Sequence, residues 1–269
     1  MLAGAHVSRM HNPLLDGPTD ARIAAFANLI ERGTPPKGHE LDALCAALGD
    51  ASKAVQRRSA EALATLAERG VPLGDRLQAL LEAADLRQRW GAAYALSLIG
   101  PLSLAALPTL LEVLSSHDGD LRWAAADLLK RLAEHHRDAV VDQLLAGARA
   151  SGNQRKMALY CLRDLDVAAG FDAAVAGLAE GDIESRLAAL ALIAKVHPSA
   201  AVAAPHIVTL LDDADPRMQR AAAATLGSLG VSSGEVIDAL HRAAASSDPS
   251  LQRAAERSLR LLRPGLASS

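Results

Sequence analysis

The amino-acid sequence predicts an all-α fold: a right-handed α-solenoid of about seven two-helix repeats, preceded by one further N-terminal helix. Three observations carry this. A short pattern recurs at nearly constant spacing, apolar residues return every three or four positions, and aromatic rings are scarce. Half of the 269 residues are apolar, yet Phe, Trp and Tyr make up only 2%, with two of each. A core filled by Ala, Leu, Val and Ile lets neighbouring helices approach closely, which suits helix-on-helix packing better than a sheet.

The repeat is the strongest signal, and periods of this size mark repeat architectures. Asp85-Leu-Arg-Gln-Arg-Trp-Gly-Ala-Ala-Tyr-Ala-Leu96 lines up with Asp118-Gly-Asp-Leu-Arg-Trp-Ala-Ala-Ala-Asp-Leu-Leu129. Asp215 to Leu226 and Asp248 to Leu259 continue the pattern. With the Asp position as slot zero, the units begin at Ser52, Asp85, Asp118, Ser151, Asp182, Asp215 and Asp248, at intervals of 33, 33, 33, 31, 33 and 33 residues. Slot eleven is aliphatic throughout: Leu63, Leu96, Leu129, Leu162, Ile193, Leu226 and Leu259. Slot seven is small throughout: Ser59, Ala92, Ala125, Ala158, Ala189, Ala222 and Ala255.

Each unit reads as two helices. The Asp or Ser at slot zero is a favoured N-cap for the second helix, and Pro216 and Pro249 stand at the first helical position, where a missing N–H costs nothing. Gly100 and Gly230 fall where that helix should stop. A shorter apolar helix precedes slot zero, as in Leu102–Leu114, Ala139–Ala148 and Ala201–Leu211. A helix over Asp20–Arg32 is expected to cap the array, followed by a loop from Gly33 to Gly38. Residues 1–18 read as a tail ordered by docking. The implied organisation is a tail and capping helix over 1–38 and the repeat array over 39–269.

The pattern Asp-Pro-x-x-(Arg/Gln)-Arg-Ala-Ala-x-x-x-Leu-x-x-Leu resembles the short HEAT-like repeats also found in phycobilin lyases, over about residues 39–262. Ankyrin repeats share the period but need Thr-Pro-Leu-His, and tetratricopeptide repeats need a fixed Trp, Gly and Tyr set; neither is present. The resemblance implies that the second helices line a concave binding surface. It also implies a structural ladder between the slot-zero Asp and the slot-four Arg, intact for Arg89, Arg122 and Arg186. Arg155 faces Ser151 instead of Asp, and Gln56, Gln219 and Gln252 depart from the pattern.

At about 100° per residue, slots seven, eleven and fourteen point to the core, and slots two, five, nine and twelve point away from it. Both Trp and both Tyr lie in the outward slots five and nine of consecutive repeats: Trp90, Tyr94, Trp123 and Tyr160. Rings on a water-facing surface mark interaction sites. Around them stand Arg87, Asp120, Asp127, Lys130, Lys156 and Arg163, so an apolar centre meets a charged rim. Further along the same face, Arg217, Arg220, Arg253, Arg257 and Arg260 form a basic group suited to an acidic or phosphorylated segment. Local pairing with Asp and Glu would make the same residues an ordinary solvated face.

The remaining composition narrows the function. A formal net charge of −3 and a pI near 6.3 disfavour a general nucleic-acid binder. Cys45 and Cys161 lie apart in apolar helical patterns and read as buried, reduced thiols. No apolar run reaches the roughly 18 residues of a membrane span, and the first residues lack the apolar stretch of a secretory signal, so the expectation is a cytoplasmic protein. No metal-ligand, phosphate-loop or nucleophile motif is present, and the nine His read as surface residues. His135 and His136 are adjacent, and His197 and His206 lie near a helix junction. Deoxyhypusine hydroxylase, a HEAT-like di-iron enzyme, uses several His-Glu pairs; here only His39-Glu40 occurs. The expected function is therefore a non-catalytic scaffold or adaptor for a protein or peptide, without catalytic residues, metal or cofactor. The alternative is a HEAT-like enzyme. One form is a DNA glycosylase using Trp123 and Asp127, which stand one helical turn apart; another is a bilin-lyase-like protein.

Overall fold

The computed structural model describes residues 12–179, 181–196 and 199–262. Residues 1–11 of the expected tail, His197, and the last residues of the expected array, 263–269, lie outside the described residues. The described residues are helical, with no strand among them. They form two compact units divided between Val113 and Leu114.

In the first unit, α1 (Thr19–Glu31) precedes α2 (Gly38–Ala47), α3 (Lys53–Glu68), α4 (Gly74–Leu80) and α5 (Leu86–Ile99), and α6 (Leu107–Leu114) follows a short 3₁₀ turn. Helix α1 packs on α3, α2 on α3, α3 on α5 and α4 on α5. One apolar core joins Leu14, Phe26 and Leu29 to Leu44, Leu48, Val55, Leu63 and Leu77, so the first helix shares its interior with the first repeats. Polar ties reinforce this. Arg22 pairs with Asp50, Arg69 donates to the Ile30 carbonyl at 2.6 Å, and Arg32 grips Glu40 through two bonds of 2.8 and 2.9 Å. Glu40 also accepts the Lys37 backbone N–H at 2.6 Å, closing the start of α2. The lone His-Glu dipeptide thus gives its carboxylate to helix capping. The Arg32 hydrogen bond holds that carboxyl down at about 2.

The second unit comprises α7 (Gly119–Ala148), α8 (Gly152–Asp164), α9 (Phe171–Ala179), α10 (Ile183–Val196), α11 (Ala200–Val208), α12 (Pro216–Leu229), α13 (Gly234–Ala244) and α14 (Pro249–Leu262). The second helices of successive repeats pack on one another, α8 on α7 and α10, then α12 on α10 and α14. The shorter first helices flank them, α9 on α10, α11 on α12 and α13 on α14. The expected helix over Ala139–Ala148 is present, as part of the second of two helices that meet at His136 within the α7 span. The non-helical backbone of His136, at φ −134°, ψ 42°, divides them. Residues 120–146 contain neither Gly nor Pro, so one residue, not a loop, makes the bend.

The repeat register governs burial. Every slot-seven residue is at most 1% exposed, and six of the seven slot-eleven residues are buried; the exception, Leu96, is only partly so. The slot-zero carboxylates cap the second helices. Asp85 accepts from Arg87 N at 3.0 Å, Asp118 from Asp120 N at 3.0 Å, Asp215 from Arg217 N at 2.8 Å and Asp248 from Ser250 N at 2.8 Å. A residue two positions earlier caps slot zero in turn: Asp50, Ser116, Asp213 and Ser246 accept the N–H of Ser52, Asp118, Asp215 and Asp248.

The ladder takes a different route from the one the resemblance implied. Arg89 donates to the carbonyls of Ala83 and Ala84 at 3.0 and 3.1 Å, Arg122 to that of Ser116 at 2.7 Å, Arg186 to that of Leu178 at 2.9 Å, and Gln219 to that of Asp213 at 2.7 Å. Helix ends leave carbonyls without intrahelical partners, and a long donor one turn into the next helix reaches those left where the first helix ends. Gln219 does this as well as Arg. Of the slot-four arginines, Arg89 also pairs with Glu112 and Arg186 with Asp213, at 2.7 Å for the latter. Neither acid occupies slot zero.

Candidate functional site

The aromatic residues fall into two pairs, one in each unit. Trp90 and Tyr94, one turn apart on α5, stack with ring centroids 6.2 Å apart and planes 24° apart. Trp90 is 7% exposed, so the expectation that slot five faces water fails at this repeat. Helix α5 approaches the end of α2 through Gly91, where a Cβ would lie 2.7 Å from the Leu48 Cβ and 2.8 Å from the Leu48 carbonyl carbon. In the same helix Leu96 is partly exposed, and Leu98 and Ile99 are 39% and 38% exposed. The buried face of α5 is thus turned relative to the repeat wheel, and Trp90 serves the interior.

The second pair joins α7 to α8. Trp123 and Tyr160 lie 5.5 Å apart at 36°, and the Arg163 guanidinium sits 4.9 Å from the Tyr160 ring centre. Trp123 is 51% exposed. Among the chain's six rings it alone is exposed: Phe26, Phe171 and Trp90 are buried, and Tyr94 and Tyr160 are half-buried. Partial burial raises the Tyr160 phenol above its ordinary value, with Arg163 opposing the shift. The rim is internally paired. Lys130 lies 3.3 Å from Asp127 and 3.8 Å from Asp164, and Arg163 donates to Asp164 at 2.6 and 2.8 Å. Asp164 did not stand out in the sequence. It occupies slot thirteen next to Arg163, and only the packing of α7 on α8 brings it to Lys130. Lys156 lines a recess of about 400 Å³ with His117, Asn153, Asp182 and Glu184.

The basic group divides. Arg217 bonds to Glu184 at 2.8 Å and to Asp215 at 3.0 Å, and Arg220 pairs with Asp248 at 3.2 Å. Asp215 is held below the usual carboxylate range by Arg217, and Asp248 by the Ser250 backbone N–H and Arg220. For these two arginines the local pairing weighed from sequence is what the structure contains. Arg253, Arg257 and Arg260 are exposed on α14, and Arg253 donates to the Ser250 hydroxyl at 3.1 Å. Among the described residues, no three His, Cys, Asp or Glu side chains gather to hold a metal ion. No helix there is long and apolar enough to cross a membrane.

The profile of the HEAT repeats matches residues 41–130 and 171–260, about two thirds of the chain. The stretch between the matches contains the second half of the bent α7 and the first part of the repeat beginning at Ser151, whose interval to Asp182 is the single one of 31 residues. No curated protein matches the chain by sequence. Among solved structures, an engineered protein from a structural genomics consortium is 20% identical, with a TM-score of 0.51 over 93% of this chain and 76% of that one. A structure of Kap95p with RanGDP gives a TM-score of 0.60 at 15% identity, over 94% of this chain and 40% of that one. Human deoxyhypusine hydroxylase aligns over 93% of both chains at 18% identity but a TM-score of 0.39, too low to bear on function. At these identities the neighbours establish the all-α repeat fold, and the two profile matches establish the family: the chain belongs to the HEAT-repeat proteins.

Proposed function

We propose that the chain is a non-catalytic interaction scaffold that holds a protein or peptide on the outward face of its second helices, with Trp123 as an anchor. The exposure of Trp123 carries this reading. A fold that buries its other indole leaves this one 51% accessible, on a base formed by Tyr160, whose own ring carries the Arg163 guanidinium. That base limits the indole's motion, so little side-chain freedom remains to be lost on association. Trp at the centre of an interface typically contributes about 2 kcal/mol or more. Lys130, Asp127, Asp164 and Arg163 provide charges of both signs beside the ring. They are bonded to one another at the surface, where exposed pairs are worth little and re-pair easily. The similarity to a Kap95p structure containing RanGDP is compatible with a protein partner.

The non-catalytic part rests on Asp127. Its side chain is 65% exposed and lies 3.3 Å from Lys130, whereas an acid or base tuned for catalysis is normally desolvated. The test places a photo-crosslinking amino acid at Asp127 in the native cell and identifies the captured protein. Its affinity is then measured for the wild type and for Trp123→Ala, with helicity checked by circular dichroism. The expected result is a roughly thirtyfold weaker Kd at unchanged helicity, equivalent to about 2 kcal/mol. Unchanged affinity in Trp123→Ala would remove Trp123 as an anchor. Release of a base from alkylated duplex DNA, lost in Asp127→Ala, would establish the glycosylase alternative instead.

A further inference from the structure

The last three second helices carry a second feature, independent of Trp123. A recess of about 450 Å³ crosses α10, α12 and α14, lined by Ala194, Ala224, Thr225, Ser228, Ala254 and Ser258, with Arg257 and Leu261 at its edge. Thr225 and Ser258 are buried, and the hydroxyls of Ser258 and the exposed Ser228 are engaged by backbone carbonyls. Ser258 donates to the Ala223 carbonyl at 2.8 Å and Ser228 to the Thr225 carbonyl at 2.8 Å. The surface offered outward is therefore mostly methyl and methylene groups. Leu261 is 64% exposed, the highest value for a large apolar residue among the described residues.

The recess stays shallow because α12 and α14 meet at Gly227, where a Cβ would lie 2.6 Å from the Ser258 Cβ and 2.9 Å from its Cα. With small residues on the floor and helix axes about 8–10 Å apart, the depression spans roughly 20 Å. That is the length of about thirteen residues of helix at 1.5 Å each.

The charge beside it has one sign. On the α14 wheel, Leu261, Ala254 and Ser258 occupy one strip, and Arg257, Arg253 and Arg260 occupy the next. All three arginines are exposed. Arg217 and Arg220 differ in that acids of their own unit engage them. An apolar trough with a guanidinium border matches a segment carrying aliphatic side chains on one edge and carboxylates on the next, because each guanidinium can grip a carboxylate through two bonds.

We propose that this trough docks an acidic amphipathic segment of a partner protein, with its aliphatic side chains over Ala224, Ala254 and Leu261 and its carboxylates on Arg253, Arg257 and Arg260. A protein segment fits better than an anionic membrane. The apolar surface is recessed, and Leu261 alone stands proud of it, whereas membrane-surface binding relies on a protruding apolar face.

The test is a displayed library of random fifteen-residue peptides selected on the whole purified chain. Recovered peptides are then measured by fluorescence anisotropy. The expected peptides place Leu, Ile or Met three or four residues apart, with Asp or Glu on the adjoining edge. Leu261→Asp and the double variant Arg257→Glu with Arg260→Glu should each weaken binding at least tenfold. Both change exposed side chains, so their helical signal should match the wild type. Affinity should fall with added salt, and Trp123→Ala should bind as the wild type does, which separates this site from the preceding one. The proposal is overturned by any of four results: recovered peptides without carboxylates; acidic peptides that bind both variants at wild-type strength; selection succeeding only on a chain truncated after Leu262, which would show that the chain's own end fills the trough; or a wild-type dimer dispersed by Leu261→Asp. Binding of phosphatidylserine vesicles that the double variant abolishes, with no peptide enriched, would likewise replace it with a membrane role.

Discussion

Gly91 offers a sharp measure of how the close packing of α5 arises. In a helix interior, Gly→Ala normally stabilises by about 1 kcal/mol, because Ala loses less backbone freedom. At Gly91 the added Cβ would meet the Leu48 backbone oxygen and lie 2.7 and 2.8 Å from the Leu48 Cβ and carbonyl carbon. A backbone carbonyl cannot rotate aside as a side-chain tip can, so α5 must retreat from the end of α2. Overpacking of this kind costs typically 1–3 kcal/mol. Taking the upper end, because the contact is with backbone, and subtracting the propensity gain leaves a loss of about 2 kcal/mol. Gly177 in α9 is the control, since a Cβ there meets nothing within 4 Å. Gly177→Ala should stabilise by about 0.5–1 kcal/mol. Urea unfolding followed by circular dichroism compares the two at fixed chain concentration. If Gly91→Ala stabilises as much as Gly177→Ala, the close approach at Leu48 is not what turns α5 and buries Trp90, and the reasoning fails.

Three further expectations follow from burial and charge. In single-Trp variants, the indole of Trp123 (in Trp90→Phe) should be quenched by acrylamide and emit to the red of Trp90 (in Trp123→Phe); equal quenching would contradict their 51% and 7% exposures. Burial pushes the Cys161 thiol up to about 12 and raises that of Cys45. Neither should react with a thiol reagent at pH 8 until denaturant is added, because the thiolate is the nucleophile; rapid labelling of the native chain would refute this. Glu40 is held at about 2 against an ordinary 4.5, first by its bond to Arg32. A depressed folded value contributes stability that is complete above about 4.5 and is lost as pH falls toward 2. Melting temperature should therefore drop less steeply between pH 5 and pH 2 in Glu40→Gln than in the wild type, and identical slopes would count against the pair.

Much of the fold is legible in the sequence because it is periodic. The slot-seven and slot-eleven residues are buried because a helix returns side chains to one face every three or four residues, and that rule needs no knowledge of neighbours. The slot-zero caps are local too, joining a side chain to N–H groups two or three residues on. The candidate site was less legible. The sequence places both Trp residues in slot five, and the structure exposes only one of them. It groups five arginines on one face, and acids in adjoining turns and the neighbouring repeat engage two. Asp164 joins Lys130 only through the packing of α7 on α8, and nothing near it in the sequence signals that contact. The trough shows only a trace in the sequence, as Leu261 in slot thirteen, where the two preceding repeats carry Lys195 and Ser228.

By itself, then, the sequence determined the all-α class, the register of the repeats, the cap residues and the identity of the core positions. All of these follow from interactions within one or two helical turns. The tertiary structure alone decided that Trp90 is interior and Trp123 is not, that α7 bends at His136 without a loop, and which arginines acids engage. The reason is physical. Exposure depends on how closely one helix approaches the next, and contacts distant in sequence set that approach. Leu48 against Gly91 and Ser258 against Gly227 are two such contacts, and at each a helix can come close only because one residue lacks a side chain.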